Sequence, residues 1–257
     1  MRLQDKVILI TGSYTGIGRA ITRQCIEEGA KVVLNGLREK LGQDLMKEFD
    51  EEKSTRLTID ITEDGAPEKL VRKAISTFGK LDAVINNAAI VASSNMSTTT
   101  VPYLERMLAV NTVAPFAIIQ AALPYLEEAK GNVVNIGSIN SWSGEPNLLA
   151  YSVSKGALMT LSRNLGDTLF REKGVRVNQI NPGWVLTDHE FVNQREQGKP
   201  DDWHKTLPDV FAPAKRLFKT EELAMAAIYL LSDESGPISG QIIEVEQLPM
   251  IGRNPPK

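Results

Sequence analysis

Short apolar runs alternate along the whole chain with longer stretches in which apolar residues recur every three or four positions. Residues 7–10, 31–35, 56–59, 83–86, 132–136, 175–180 and 241–245 are brief and rich in Val, Ile and Leu, as strands covered on both faces of a parallel sheet are. Between them, residues 16–28, 39–50, 66–78, 102–128, 151–172 and 221–231 carry helical spacing. Gly29, Gly79, Gly131 and Gly174 follow four of these segments, where a left-handed helix end takes glycine. Strand–helix alternation of this kind predicts an α/β fold. It is a Rossmann-like, doubly wound, seven-stranded parallel sheet with helices on both faces and right-handed crossovers, one domain over residues 1–257.

One segment departs from the pattern. Residues 187–219 hold many charges, Pro200, Pro208, Pro213 and Gly198, and no sustained periodicity. A stretch that long inside a compact domain reads as a substrate lid. Residues 247–257 read as a C-terminal tail.

Composition narrows the function classes. A formal net charge of -3 without a basic block argues against a nucleic-acid partner. The single Cys25 excludes an internal disulfide, and with only His189 and His204 beside it no four-ligand nitrogen and sulfur zinc site can be assembled. No metal is expected. The N-terminal apolar run is too short for a signal peptide, and no uninterrupted apolar run approaches the ~20 residues of a membrane helix. A soluble cytoplasmic chain with a small-molecule substrate and no membrane partner is the expectation.

The first candidate chemistry follows the first strand. Thr11-Gly12-Ser13-Tyr14-Thr15-Gly16-Ile17-Gly18 leads directly into an amphipathic helix. Glycines at such a turn let the backbone approach a pyrophosphate at the positive helix end. The spacing is G-x-x-x-G-x-G, and its place in a βαβ unit points to a dinucleotide. A carboxylate for the ribose 2′-hydroxyl belongs roughly 20 residues on. Gly36 stands there instead, with Arg38 beyond it. That arginine could face a 2′-phosphate, so NADP(H) is favoured over NAD(H).

The second candidate is Tyr151 with Lys155, whose spacing places both on one helical face. A neighbouring ammonium favours the phenolate, so the tyrosine pKa is expected to fall towards neutrality and supply a general acid/base. Ser138, thirteen residues earlier at the end of a strand, offers a hydroxyl for a carbonyl oxygen. Asn111 is a polar residue in an otherwise apolar stretch and needs a partner.

Together these residues resemble the short-chain dehydrogenase/reductase family in its compact type. The resemblance spans residues 5–246 and rests on residues 11–18, Asp60, Asn86-Asn87-Ala88-Ala89, Asn111, Ser138, Tyr151, Lys155 and Asn181-Pro182-Gly183-Trp184-Val185-Leu186-Thr187. It implies that Tyr151 exchanges the alcohol proton while Ser138 holds the substrate oxygen. Lys155 would bind the nicotinamide ribose and depress the Tyr151 pKa, and Asn111 would fix a water in a proton relay. Gly12 and Ile17, with Ser13, Thr15, Gly16 and Gly18 around them, would take the pyrophosphate. Asp60 and Ile61 would meet the adenine, and Asn87, beside Ala88 and Ala89, the adenine ribose side. Val185 and Thr187, following Pro182 and Gly183, would bind the nicotinamide carboxamide.

Two departures from the family pattern stand out. The ribose-selecting acid is missing, and the last strand reads Val245-Glu246-Gln247-Leu248-Pro249 where relatives end Val-Asp-Gly-Gly. In relatives that strand often lies at a subunit contact. A homo-oligomer, dimer or tetramer, is implied, built on the helices at 102–128 and 151–172, with Phe116, Leu158 and Leu165 on a second apolar face.

Residues flanking Ser138 and Tyr151 should line the pocket, namely Asn140, Trp142, Glu145 and Asn147, joined by Trp184, His189 and Glu190 at the start of the lid. Amides, carboxylates and indoles suit a sugar, polyol or cyclitol. A 3-oxoacyl or other simple carbonyl substrate is the second reading. A non-catalytic dinucleotide-binding homologue is disfavoured by the intact Asn111, Ser138, Tyr151 and Lys155. An epimerase or dehydratase is disfavoured by the glycine spacing and the short C-terminal region.

Overall fold

Strand β1 (Val7–Ile10) is buried at every position, and its side chains divide between two cores. Ile8 and Ile10 enter one, Val7 and Leu9 the other, as the two-residue period of a strand requires. The computed structural model describes residues 1–248. The remaining strands are β2 (Lys31–Gly36), β3 (Ser54–Thr58), β4 (Ala83–Asn86), β5 (Asn132–Ile136), β6 (Arg176–Pro182) and β7 (Ile242–Val245). All seven are parallel, in the order β3-β2-β1-β4-β5-β6-β7. The order reverses between β1 and β4, which opens a crevice at their carboxyl ends.

Helices α1 (Gly16–Glu27), α2 (Glu39–Met46) and α9 (Thr220–Leu231) cover one face. Helices α3 (Ala66–Phe78), α5 (Ala114–Ala129) and α7 (Leu149–Lys173) cover the other. Helix α4 (Val101–Leu108) runs through a π-helical turn, Ala109–Val113, straight into α5. The combined rod is apolar enough to cross a membrane by length and composition, with mean hydropathy 1.5. Ile118, Ile119, Ala122 and Leu126 are nevertheless packed into the second core, so it is a core helix here.

Three expectations need correction. Gly29, Gly79 and Gly174 do take positive φ, but after α5 the left-handed residue is Lys130, at φ 48. Gly131 serves close approach instead, since a Cβ there would sit 2.1 Å from the Asp82 carbonyl oxygen. Leu158 is buried and Leu165 packs against the second core, so neither forms an outer face; Phe116 does, at 42% exposure. The lid is also more regular than its sequence indicates. It contains α8 (Asp188–Glu196), capped by the Thr187 hydroxyl, which accepts the Glu190 N–H.

The two ends of the lid are joined. Val185 pairs with Phe218 in an isolated bridge, the Leu186 N–H donates to the Phe218 carbonyl, and the Phe218 N–H to the Trp184 carbonyl. Of the expected tail, Gln247 and Leu248 are described, and residues 249–257 lie outside the described residues.

Candidate active site

The loop after β1 is stitched into place by its own hydrogen bonds. The Thr11 hydroxyl accepts the backbone N–H of Asn87 at 3.0 Å and of Ala88 at 3.1 Å. Asn87 donates its amide to the carbonyls of Thr11 at 3.1 Å and Gly12 at 2.9 Å. Gly12 and Gly16 have φ of 61 and 54. A Cβ on Gly12 would lie 2.7 Å from Ala88 Cα, and one on Gly18 would lie 2.3 Å from the Gly12 carbonyl oxygen. Thr15 makes no side-chain cap on α1, so the first-turn N–H groups have no capping hydroxyl and face outward as an anion site. This cradle fits a dinucleotide pyrophosphate. Asn87, expected beside the adenine ribose, holds the loop with its amide nitrogen.

Tyr14, which the sequence reading left without a role, is buried against β2 and α2. Its hydroxyl pairs with that of Thr58 at 3.0 Å. A Cβ on Gly36 would lie 2.3 Å from the ring, and one on Gly42 would lie 2.6 Å from it. Glycine at 36 therefore makes room for the tyrosine where many dinucleotide folds place a carboxylate. Nearby, Arg56 is neutralised by Glu39 at 2.6 Å. Arg38 is exposed and makes no side-chain hydrogen bond or ion pair among the described residues. Asp60 is held by Thr62 and by Arg106, the latter at 2.7 Å, with Ile61 buried beside it and Ala89 exposed.

At the carboxyl end of β5, Ser138, Tyr151 and Lys155 are all buried. The Ser138 oxygen accepts the Asn140 N–H at 3.1 Å. Lys155 donates to the Ile136 carbonyl at 2.6 Å, and its nitrogen stands 5.8 Å from the Tyr151 ring centre. Burial pushes the Tyr151 phenol up to about 12, opposed by its hydrogen bond with Ser138. This is opposite to the expected fall. Burial also pushes Lys155 down to about 7, which weakens it as a source of positive charge beside the phenol.

Asn111 lies in the π turn, a distortion frequent at functional sites. Its oxygen accepts the Ile90 N–H at 2.8 Å, and its nitrogen donates to the Ile90 carbonyl at 2.9 Å and to the Ser154 hydroxyl at 3.0 Å. Both ends of the amide are thus engaged by protein groups. Ser154 in turn donates to the Tyr151 carbonyl at 2.7 Å, which ties the clamp to the catalytic helix turn.

Thr187 starts the lid close to the phosphate loop, its methyl 3.6 Å from where a Gly16 Cβ would be. Val185 is buried, as is Pro182, and Gly183 is packed so closely that a Cβ would lie 2.4 Å from the Glu246 carboxylate.

The residues expected along the substrate wall differ in burial and in partners. Asn140 is half-buried beside Ser138. Trp184 is half-buried, donates to Glu190 at 2.9 Å and stacks on Trp203 at 5.3 Å. Glu145, Asn147 and His189 are exposed, because the loop before α7 and the outer side of α8 face away from the protein. Trp142 on the short α6 (Asn140–Ser143) lies over the Arg163 guanidinium of α7 at 4.7 Å, so its indole is engaged along that helix. The sequence reading missed Phe191, Gln194, Trp203 and His204, which knit the lid together. The signal available was an aromatic residue, Trp203, in an otherwise charged segment.

A family model described as enoyl-(acyl carrier protein) reductase matches residues 12–247. The chain belongs to the short-chain dehydrogenase/reductase family. Members of this family are oxidoreductases that use a nicotinamide dinucleotide. An uncharacterized oxidoreductase of Thermotoga maritima is 34% identical over 96% of this chain and 98% of its own length. L-fucose dehydrogenase of Mus musculus is 32% identical over 90% and 84%. The 3-oxoacyl-[acyl-carrier-protein] reductase of Thermotoga maritima is 28% identical over 96% and 98%.

Proposed function

We propose that this chain moves a hydride between a nicotinamide dinucleotide, with NADP(H) preferred, and a secondary alcohol or ketone. The observation that carries the reading is the joint burial of Ser138, Tyr151 and Lys155 past the carboxyl end of β5, on the same edge of the parallel sheet as the phosphate loop. Bound in that crevice, the nicotinamide would supply or accept the hydride.

The protein's own part is positioning and proton movement. Ser138 holds the substrate oxygen, and Tyr151 gives it a proton during reduction. A phenol kept neutral by burial is suited to donation. In the oxidative direction the same group must lose its proton, and the Ser138 hydroxyl is the neighbour that eases the loss. Lys155 reaches the ribose hydroxyls, Val185 and Thr187 the carboxamide, and the α1 N-terminus the pyrophosphate. The preference for NADP(H) rests on Arg38, a cation that has no acidic partner among the described residues and lies just past the end of β2.

For the substrate, Asn140 with the Trp184–Glu190 pair supports a sugar, polyol or cyclitol, and a relative named for L-fucose lends weight. A 3-oxoacyl carbonyl is the second reading, supported by the 3-oxoacyl reductase relative. The exposed Val113 and Phe116 near and on α5, with Val153 and Phe170 on α7, support pairing with a second copy in a dimer or tetramer.

The test is titration with NADPH and NADH by fluorescence, followed by turnover on panels of sugars, polyols, cyclic ketones and 3-oxoacyl thioesters. Tighter NADPH binding and turnover that disappears in Tyr151→Phe while dinucleotide binding remains are expected. Failure to bind either dinucleotide, or full turnover in Tyr151→Phe, would overturn the proposal.

A further inference from the structure

On the face of the sheet that packs against α5 and α7, Val84, Val133 and Val177 are register partners across β4, β5 and β6, and all three belong to the apolar core. Two residues further along, still on that face, the partners are Asn86, Asn135 and Gln179. An apolar row is therefore replaced by a row of amides, at 3%, 0% and 0% exposure. Burial of three amides is costly unless each is bonded.

They are bonded in a single chain. Asn86 Nδ2 donates to Asn135 Oδ1 at 2.9 Å, and Asn135 Nδ2 donates to Ser162 Oγ at 2.8 Å. Ser162 Oγ shares its one hydrogen between the Leu158 carbonyl at 2.8 Å and Gln179 Oε1 at 2.9 Å, both of which can only accept, and Gln179 Nε2 donates to Asn181 Oδ1 at 2.7 Å. Asn181 Oδ1 also receives the backbone N–H of Ser138, at 3.1 Å. The direction is dictated by this last link. A backbone N–H can only donate, so Asn181 must present oxygen, Gln179 must present nitrogen to it, and the order propagates back to Asn86. The atoms left without a partner, Asn86 Oδ1 and Asn181 Nδ2, are the two ends that a one-way chain leaves over.

The turn above the chain is shaped to it. A Cβ on Gly137 would lie 2.2 Å from both Asn181 Oδ1 and Gln179 Nε2. Glycine before Ser138 thus lets the two amides press directly beneath the serine. The Gly137 and Ile139 N–H groups are held by the carbonyls of Ile180 and Pro182, so within residues 137–139 it is the Ser138 N–H that is held by a side chain.

We propose that Gln179 and Asn181 are positioning residues that set the place of the Ser138 hydroxyl against Tyr151. The inference rests on the reading of Ser138 as the group that holds the substrate oxygen. Because the chain is polarised and buried, losing one link leaves its neighbours unsatisfied and loosens the Ser138 turn.

The test needs no substrate. Protein labelled with 15N and with 13Cζ-tyrosine is compared for the wild type, Gln179→Met, Ser138→Ala and the double variant. In Gln179→Met the Ser138 amide should exchange about tenfold faster, while the Val133 and Val177 amides keep their protection. The Tyr151 Cζ resonance should move in the direction that Ser138→Ala moves it, and Gln179→Met should add nothing in the Ser138→Ala background. A Tyr151 resonance unmoved by Gln179→Met but moved by Ser138→Ala overturns the proposal alone. So does protection lost evenly along β5 and β6, which marks a role in the fold. A Tyr151 resonance that Ser138→Ala itself leaves in place overturns the underlying site reading and the proposal together. Ser162→Ala breaks the same chain by removing one oxygen, and it supplies the same comparison if Gln179→Met does not fold.

Discussion

Gln247 holds the lid by both ends of its amide. Its oxygen accepts the Ala214 N–H at 2.9 Å and its nitrogen donates to the Arg216 carbonyl at 2.7 Å. A glycine here could make neither bond, so the end of the last strand anchors the lid through this side chain.

Gln247→Gly removes two hydrogen bonds, each contributing about 1 kcal/mol. Local opening of the lid base should rise about tenfold or more. Limited trypsin digestion at Lys215 and Arg216 should quicken accordingly, with the melting temperature little changed. Equal cleavage rates would show that the clamp does not hold the lid.

Lys155 gives a pH signature. In the folded chain its pKa is pushed down by burial to about 7, from the ordinary lysine value of 10.5. Between these values the unfolded chain binds the proton that the folded chain has released, so this group's contribution to stability rises with pH across that window. Below it both states are protonated and the contribution is flat at its least favourable level. Urea unfolding of wild type against Lys155→Met, without dinucleotide, should show the stability difference shifting in the wild type's favour from pH 7 upward. A difference independent of pH would refute the assignment.

Tyr14 and Gly36 should be coupled through space. Gly36→Ala forces a Cβ into the ring 2.3 Å away, at a cost of roughly 1–3 kcal/mol in a packed site. In a Tyr14→Ala background the same change should cost less than half as much, measured by urea unfolding. Additive costs would mean that the ring is not what the glycine accommodates.

Arg176 is buried at the amino end of β6 and bonds the carbonyls of Leu230, Ser232 and Ile238 and the Ser235 hydroxyl. Its cation sits at the carboxyl end of α9, where the helix dipole favours it. Arg176→Met should lower stability by about 2–4 kcal/mol and leave dinucleotide affinity unchanged, since the binding crevice lies at the other end of the sheet. A loss of NADPH binding in the folded variant would contradict this separation.

The parallel sheet was legible because β1, β4 and β5 are runs buried on both faces, and their limits coincide with the apolar runs. Ser138, Tyr151 and Lys155 converge as their motifs imply. The tuning of Tyr151 was not legible, since local spacing brings an ammonium near while burial of both groups depends on distant segments. That Trp142 lies over Arg163 and His189 at the surface was hidden for a related reason. Neighbourhood in sequence does not say which side of α6 or α8 faces the crevice. The amide chain was hidden because strand register alone aligns Asn86, Asn135 and Gln179. Gly36 looked like a missing acid and is better understood as space for Tyr14.

The joined ends of the lid have a consequence for how this scaffold can change. Val185 and Phe218 are bridged to each other, so everything between them leaves and returns at one point and closes no gap in the sheet. Such a segment behaves as an exchangeable cassette: its length and side chains can be replaced at little cost in loop-closure entropy. Under the proposed function, substrate specificity would be rewritten between residues 188 and 217 while Ser138, Tyr151 and Lys155 beneath keep their places.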